Sequence, residues 1–236
     1  MTDKAAKDNE KLIAFWNRAM ALSEEEKART EAPEPDAWKE IAPSEKLFLA
    51  AVSLGRRKKV LDYGCGSGWA GIIAAKSGCP DVTAADPAPG AAESTAFYAE
   101  QFGVSDRVHT LCIPPDWLKH VPDGRFDGFI CSNVLDVVPP ETAEEILQEA
   151  ARVVTRDAAV IIGLNYYLSP EAAAEKGLEL TDGTRLYVDG VLRLVSRTDE
   201  EWEKIFSPWF AAEKLEHFAW PGEAAERRRL FYLKRI

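Results

Sequence analysis

Two aspartates and three alternating glycines are the residues whose types and spacing best suit ligand binding. Gly64, Gly66 and Gly68 directly follow Asp62. Glycines let a backbone turn sharply and approach a ligand without a Cβ in the way. A helix that opens at about residue 69 would direct unpaired N–H groups to the same place. Asp86 ends the next apolar run, where a carboxylate can accept both hydroxyls of a ribose. The pattern predicts a site for a ribose-containing ligand.

Alternating strands and helices must position these residues. The apolar runs predict strands at about 59–62, 81–86, 107–112, 126–132 and 158–164, and helices at about 69–77, 91–102 and 141–154. This alternation is typical of βαβ units with a parallel sheet, in which ligands bind beyond the carboxyl ends of the strands. We therefore expect an α/β fold with a Rossmann-like, doubly wound sheet.

The flanking segments predict a helical extension at residues 1–55 and a main domain at 56–236. In the extension, one helix runs to the break at 31–35, and a second helix spans about 36–53. In the main domain, a hairpin centred on Asp189-Gly190 forms an insertion at about 165–197. Thr198 and Glu201 form a capping box that starts a helix. Two final strands at 212–218 and 230–233 are joined by a tight return, so we expect the last strand to be antiparallel.

Composition and charge restrict the function classes. The 236 residues are 46% hydrophobic and 10% aromatic, which excludes a disordered chain. The formal net charge of -10 argues against a nucleic-acid partner. Two short basic runs, at 56–59 and 227–229, are interpreted as solvated strand ends.

The four cysteines and three histidines indicate neither a disulfide framework nor a metal site. No two cysteines have C-x-x-C spacing, and no histidine pairs with a cysteine at ligand spacing. No apolar run is long enough to span a bilayer, and the first residues lack an apolar signal core. We expect a cytoplasmic protein with reduced thiols, no metal and no membrane partner.

The glycine turn and its surroundings resemble the cofactor-binding signature of class I methyltransferases, which use S-adenosylmethionine (AdoMet). The resemblance covers about 59–164 and includes Asp86-Pro87, the stretch 115–118 and Phe126-Asp127. It implies that Gly64, Cys65 and Gly66 border the methionine part of AdoMet, that Asp62 reaches its amino group, and that Asp86 holds the ribose. It further implies that Pro87 packs on the adenine, that Asp116 accepts from the adenine amino group with Trp117 nearby, and that residues 132–134 border the sulfonium. The cofactor residues implied are Asp62, Gly64, Cys65, Gly66, Gly68, Asp86, Pro87, Asp116, Trp117, Ser132, Asn133 and Val134.

Two other interpretations stay open. Residues 66–71 match the dinucleotide expression G-x-G-x-x-G of NAD(P)-dependent oxidoreductases, although the first glycine then lies too far beyond the strand end. A protein that binds AdoMet or S-adenosylhomocysteine without transferring methyl groups would carry the same cofactor site. The antiparallel last strand favours a methyltransferase over a dehydrogenase.

The resemblance implies that the helical extension at 1–55 forms a lid, and it favours a small-molecule acceptor, methylated by in-line displacement. Methyltransferases that act on DNA-base or glutamine amino groups often carry a Pro-Pro-Tyr signature after the fourth strand, and 132–136 lacks it. Candidate substrate residues are Trp16, Trp38, Tyr166, Tyr167 and Arg193, and candidate bases are Asp136 and Tyr166. The sequence leaves the acceptor, its atom and the oligomeric state open.

Overall fold

A seven-stranded mixed sheet forms the centre of the computed structural model, which describes residues 2–236. Its strands stand in the order β3-β2-β1-β4-β5-β10-β9. The ten strands of the described residues are β1 (Val60–Tyr63), β2 (Val82–Asp86), β3 (Val108–Cys112), β4 (Phe126–Ser132), β5 (Val154–Leu164), β6 (Leu180–Thr181), β7 (Arg185–Val188), β8 (Val191–Val195), β9 (Phe210–Phe218) and β10 (Arg228–Arg235).

Eight α-helices accompany the strands in the described part of the chain. They are α1 (Asp3–Met20), α2 (Glu24–Arg29), α3 (Glu45–Leu54), α4 (Trp69–Lys76), α5 (Pro89–Gln101), α6 (Pro140–Val153), α7 (Pro170–Glu175) and α8 (Asp199–Phe206). Short 3-10 helices occupy Ala37–Lys39 and Trp117–His120.

The sheet topology confirms the predicted fold class. Strands β1 to β5 pair in parallel, whereas β10 is antiparallel to both β5 and β9. The strand order reverses between β1 and β4, where the connections lead to opposite sides of the sheet. A crevice beyond the carboxyl ends of the strands is expected at this reversal.

Apolar side chains bury both faces of the sheet, as a doubly wound fold requires. On one face, Leu61 and Phe129 pack in a cluster that includes Trp202 and Phe206 of α8. On the other face, Val60 packs in a cluster with residues of α3 and α4. Each fully buried large apolar side chain contributes about 1.5–3 kcal/mol. Because β1 is buried on both faces, it is a rigid support for the turn that follows it.

The N-terminal extension departs from the two predicted helices. The first is interrupted after Met20, and Ser23 caps a separate α2 through a capping box with Glu26. The prediction of one helix at 36–53 is wrong, because α3 begins only at Glu45. Pro43 disfavours helix at the residue before it, and the Ser44 hydroxyl caps α3 by accepting from the Leu47 N–H at 3.2 Å.

The insertion contains the predicted hairpin, a third strand and a short helix. Strands β7 and β8 pair around Asp189 and Gly190, which both have positive φ angles. The short strand β6 pairs with β7 to make a separate three-stranded sheet, and α7 precedes it. Helix α8 begins after Thr198 with the predicted capping box.

The interpretation of the basic run 227–229 as a solvated strand end is wrong. The side chains of Arg228 and Arg229 are buried, with 6% and 1% of their surface exposed. They belong to β10, which lies between β5 and β9 rather than at an edge. Arg229 donates to the carbonyl oxygens of Asn165 and Arg197 and to the Asp199 carboxylate. Fixed acceptors thus replace water at the Nε and Nη1 atoms of the buried guanidinium, whereas its Nη2 atom is buried without a hydrogen-bond partner.

Candidate functional site

A cavity of about 310 Å³ lies beyond the carboxyl ends of β1, β2 and β4. Helix α1 walls it opposite the sheet. The lining has two parts, which we call the turn half and the helix half. The turn half comprises Gly64, Cys65, Gly66, Ser67, Trp69, Asp86, Pro87, Ala88, Ala91 and Pro115. The helix half comprises Asn9, Leu12, Ile13, Val134, Val137, Val138, Thr142 and Ile146. Trp16, Met20, Pro43, Tyr63, Ser132, Asn133 and Trp220 complete the wall.

The glycine turn brings the backbone against the loop that follows β4. Gly64 has a φ of 70°, and a Cβ there would lie 2.3 Å from Val134 Cγ2. Gly68 has a φ of 78°, and its Cβ would lie 2.5 Å from Thr95 Cγ2. Only glycine combines this conformation with such close packing. The two halves of the cavity therefore meet where Gly64 touches Val134.

Asp62 holds the glycine turn from behind. Its side chain is buried and does not line the cavity, and its Oδ2 atom accepts from the Gly71 N–H at 2.9 Å. Burial raises the pKa of the Asp62 carboxyl to about 7, and the nearby Asp86 adds to the rise. The bond fixes the first turn of α4 to the end of β1.

Asp86 faces the cavity at the end of β2. Its Oδ2 atom accepts from the Gly66 N–H at 3.1 Å, and its Oδ1 atom accepts from the Ala88 N–H at 2.8 Å. Burial raises the pKa of this carboxyl. A carboxylate can accept about four hydrogen bonds, so this side chain can also accept from ligand hydroxyls.

The structure places nine of the residues predicted to bind cofactor or substrate in the wall of one cavity. They are Trp16, Gly64, Cys65, Gly66, Asp86, Pro87, Ser132, Asn133 and Val134. Asp62 and Gly68 shape the glycine turn without lining the cavity. Cys65 lies beside Thr95, and burial raises the pKa of its thiol well above the usual range, so this cysteine is a neutral wall residue.

The predicted adenine contacts Asp116 and Trp117 lie outside the cavity. The Asp116 side chain is 61% exposed and faces His120 at 3.5 Å. Trp117 begins a 3-10 turn and packs against the core. The wall at this point is formed by Pro115 instead.

Four of the five candidate substrate residues also lie outside the cavity wall. Trp38 packs against Phe48, and Tyr167 is exposed. The Arg227 guanidinium lies 4.7 Å from the Tyr166 ring centroid. The Arg193 guanidinium stacks on Phe15 at 4.1 Å and approaches Trp16 at 5.6 Å, so it supports the cavity residue Trp16 from outside.

Asp136, a candidate base, lies in the loop that follows β4, and its side chain is fully buried. Its Oδ2 atom accepts from the Asn165 N–H at 2.6 Å, and burial raises its pKa despite the positive charge of Arg229. The structure thus gives both candidate bases, Asp136 and Tyr166, positions from which they do not reach the cavity.

Asn165 connects several elements at this edge of the sheet. Its side-chain oxygen accepts from the Asn133 amide at 2.9 Å and from the Arg228 guanidinium at 2.5 Å. Its carbonyl oxygen accepts from Arg229 at 2.8 Å. Asn133 has a φ of 58° and lines the cavity. This network holds Asn133 in a left-handed conformation that few residue types tolerate.

Helix α1 is anchored to two separate parts of the molecule. The Gly90 N–H at the start of α5 donates to Asn17 Oδ1 at 2.7 Å. In the insertion hairpin, the Tyr187 hydroxyl donates to Asp8 Oδ2 at 2.8 Å. Sequence analysis did not select Asn9, Thr142 or Ile146 for the site, because their place in the wall depends on how α1 docks on α6.

Comparison with known proteins identifies the domain. The family model described as "Methyltransferase domain" matches residues 60–157. This region is therefore similar to the methyltransferase domains of that family. A ribosomal protein L11 methyltransferase of Shewanella piezotolerans is 36% identical over 80 residues, which are 34% of this chain and 26% of that protein. The chain thus spans about a quarter of the length of that relative.

Two further relatives cover more of the chain. The ubiquinone biosynthesis O-methyltransferase of Neisseria meningitidis is 26% identical over 153 residues, 65% of this chain and 59% of that protein. The crystal structure of 1,6-didemethyltoxoflavin-N1-methyltransferase from Burkholderia thailandensis, with bound 1,6-didemethyltoxoflavin and S-adenosylhomocysteine, is 22% identical. It superposes with a TM-score of 0.61 over 85% of this chain and 80% of that chain.

AdoMet is the cofactor of this domain class, and the residues of the turn half fit it. Gly64 and Gly66 leave backbone exposed to the cavity, Asp86 presents a carboxylate, and Pro87 and Ala88 offer an apolar surface beside it. These groups suit the methionine, ribose and adenine parts of AdoMet in that order. No bulky side chain of the turn itself fills this space.

Proposed function

We propose that the protein is an AdoMet-dependent methyltransferase that acts on a small molecule. The observation that carries the proposal is the single cavity that joins the turn half to the helix half at Gly64 and Val134. A cofactor held in the turn half would direct its methyl group across this junction. The helix half would then hold the acceptor.

Positioning is the main task of the protein in such a reaction. AdoMet supplies an activated methyl group on a cationic sulfur, and transfer needs the nucleophile, the methyl carbon and the sulfur in line. Holding two reactants in this geometry can lower the barrier by about 7–11 kcal/mol. The rigid end of β1 and the packed helix half serve this purpose, and no covalent protein intermediate is needed.

The enclosure of the helix half supports a small-molecule acceptor over a protein acceptor. Helix α1 spans the cavity from its contact with α5 to its contact with the insertion hairpin. The L11 methyltransferase named above acts on a ribosomal protein, but its similarity covers only about a third of this chain. A folded protein would have to displace α1 to reach the helix half.

Calorimetry with AdoMet tests the cofactor assignment, with NAD as the matched control ligand. We expect saturable binding of AdoMet and S-adenosylhomocysteine at micromolar concentrations and none of NAD. Binding of NAD without binding of AdoMet would overturn the proposal in favour of the dinucleotide-binding alternative. If AdoMet binds but no acceptor ever yields S-adenosylhomocysteine, the non-catalytic alternative would replace the enzyme.

A further inference from the structure

The acceptor class can be inferred from the helix half, and this inference rests on the proposed function. Six of its eight residues are aliphatic: Leu12, Ile13, Val134, Val137, Val138 and Ile146. The other two, Asn9 and Thr142, are uncharged and bond each other, with Asn9 Nδ2 donating to Thr142 Oγ1 at 2.9 Å. The surface offered to an acceptor is therefore apolar and uncharged.

Three charged side chains next to the helix half in residues 2–236 have partners outside it. Asp8, beside Asn9, accepts from Tyr187 in the insertion hairpin. Glu145, beside Ile146, faces Lys119 at 3.4 Å. The Arg193 guanidinium lies on the ring of Phe15. Of the cavity wall formed by residues 2–236, only Asp86 is an aspartate, glutamate, histidine, lysine or arginine, and it belongs to the turn half.

This lining disfavours an ionised acceptor. An ion that leaves water for an apolar surface loses solvation that no counter-charge here replaces. It also disfavours an acceptor whose proton must be removed before attack, because the helix half contains no general base. Alcohols, phenols and carboxylic acids are nucleophilic mainly as anions, and alkyl amines are protonated at neutral pH.

We propose that the acceptor is an uncharged, largely apolar ring compound that is methylated on a neutral nitrogen, either heteroaromatic or an aromatic amine. The nitrogen lone pair forms the N–C bond to the methyl carbon. The C–S bond breaks and its electron pair stays on sulfur, which leaves a neutral thioether. The positive charge moves from sulfur to nitrogen, so the total charge of the two bound ligands does not change. Where that nitrogen bears a hydrogen, its proton passes to water afterwards.

Binding of matched acceptors to the protein saturated with S-adenosylhomocysteine tests the charge preference. The probes are uncharged one-ring and two-ring nitrogen heteroaromatics, such as quinoline, each paired with its carboxylate derivative. We expect the uncharged member to bind at least about tenfold more tightly. Equal or tighter binding of the carboxylates, or no binding of any uncharged member, would overturn the proposal.

Turnover with AdoMet tests the acceptor atom. Quinoline, 2-naphthol and 2-naphthalenethiol have similar shapes and differ in the nucleophile. We expect S-adenosylhomocysteine to form with the nitrogen compounds and at least about tenfold more slowly with the oxygen compound at neutral pH. Faster methylation of the oxygen or sulfur compound would refute nitrogen as the acceptor atom. Because AdoMet binding is measured separately, failure here is distinct from failure of the proposed function.

A pair of lysine variants tests whether the helix half sets the preference. Ile13 lines the cavity, whereas the next residue, Ala14, is exposed on α1. We expect Ile13→Lys to shift relative binding toward the carboxylates by about tenfold, because its ammonium supplies the missing counter-charge. Ala14→Lys adds the same charge outside the cavity and should leave the ratio unchanged. If both variants shift the ratio of uncharged to carboxylate binding equally, the preference for uncharged acceptors does not arise in the helix half.

Discussion

The turn half and the helix half of the cavity are built by different means. The turn half is formed by short stretches that follow three neighbouring parallel strands, β1, β2 and β3, with glycines and a carboxylate at fixed places. The helix half is formed by side chains from α1, α6 and the loop after β4, which are far apart in the sequence. The first arrangement suits a constant ligand, and the second can change with few substitutions. Four changes test this difference, from the largest expected effect to the smallest.

Gly64→Ala should disrupt the junction of the two halves. The new Cβ would lie 2.3 Å from Val134 Cγ2 at a φ of 70°, so strain and overpacking together should lower the free energy of unfolding by on the order of 4 kcal/mol. Gly124→Ala is the matched control, since Gly124 has a φ of 59° with nothing within 4 Å of its Cβ position. Chemical denaturation measures both. Equal losses would mean that close packing at Gly64 is unimportant.

Asp62→Asn should change the pH dependence of stability in the ligand-free protein. The folded-state pKa of about 7 exceeds the ordinary value of 3.8, so the carboxyl's favourable contribution is complete below about pH 4 and is lost as pH rises through 7. Asparagine can still accept from Gly71 and does not ionise. The variant should therefore gain stability relative to the parent between pH 5 and pH 8, by on the order of 2 kcal/mol. If the difference in unfolding free energy between the variant and the parent stays constant from pH 5 to pH 8, the pKa of Asp62 is not raised.

Asp86→Ala should weaken AdoMet binding at least about tenfold, because the ribose hydroxyls lose their acceptor. Asp81→Ala is the control, since Asp81 lies before β2 at the opposite end of that strand from the cavity. Calorimetry measures affinity, and thermal unfolding shows whether the loss of the bonds to Gly66 and Ala88 has disturbed the fold. An unchanged affinity in a folded variant would remove Asp86 from the cofactor site.

Tyr187→Phe should have the smallest effect and should act on the helix half alone. It removes the hydrogen bond to Asp8 that anchors the start of α1. Acceptor KM should rise about threefold, with the AdoMet dissociation constant unchanged. An equal rise in the acceptor KM and in the AdoMet dissociation constant would show that α1 contributes to both halves of the cavity.

Sequence analysis predicted the turn half well because its information is local. Asp62, the glycines and Asp86 follow strands whose apolar runs are easily identified, and the parallel topology brings strand ends together. The helix half was largely missed, because periodicity shows that α1 has an apolar face but not what covers that face. The loop after β4 illustrates the same difficulty. Asn133 lines the cavity, whereas Asp136, three residues later, is buried away from it, and the sequence does not distinguish the two positions.

Arg228 and Arg229 mark a second limit of sequence analysis. Adjacent arginines usually remain in water, and nothing local distinguishes this pair. Their burial depends on acceptors contributed by Asn165, Arg197, Asp199 and Glu223, which only the folded chain brings together. The wrong helix at 36–53 has a different origin, because Pro43 and the N-cap Ser44 are local signals for the start of α3 at Glu45.

The bonds of Asn165 have a consequence for protein engineering. The residue lies where β5 leads into the insertion, and it joins Asn133 to the arginines of β10. A chimera that replaces the chain after β5 with that of another methyltransferase would keep the glycine turn and Asp86 intact. The chimera would lose the hydrogen bond between Asn133 and Asn165 unless the donor segment supplied an equivalent amide at position 165. Recombination at this boundary therefore requires residues 133 and 165 to be exchanged as a pair.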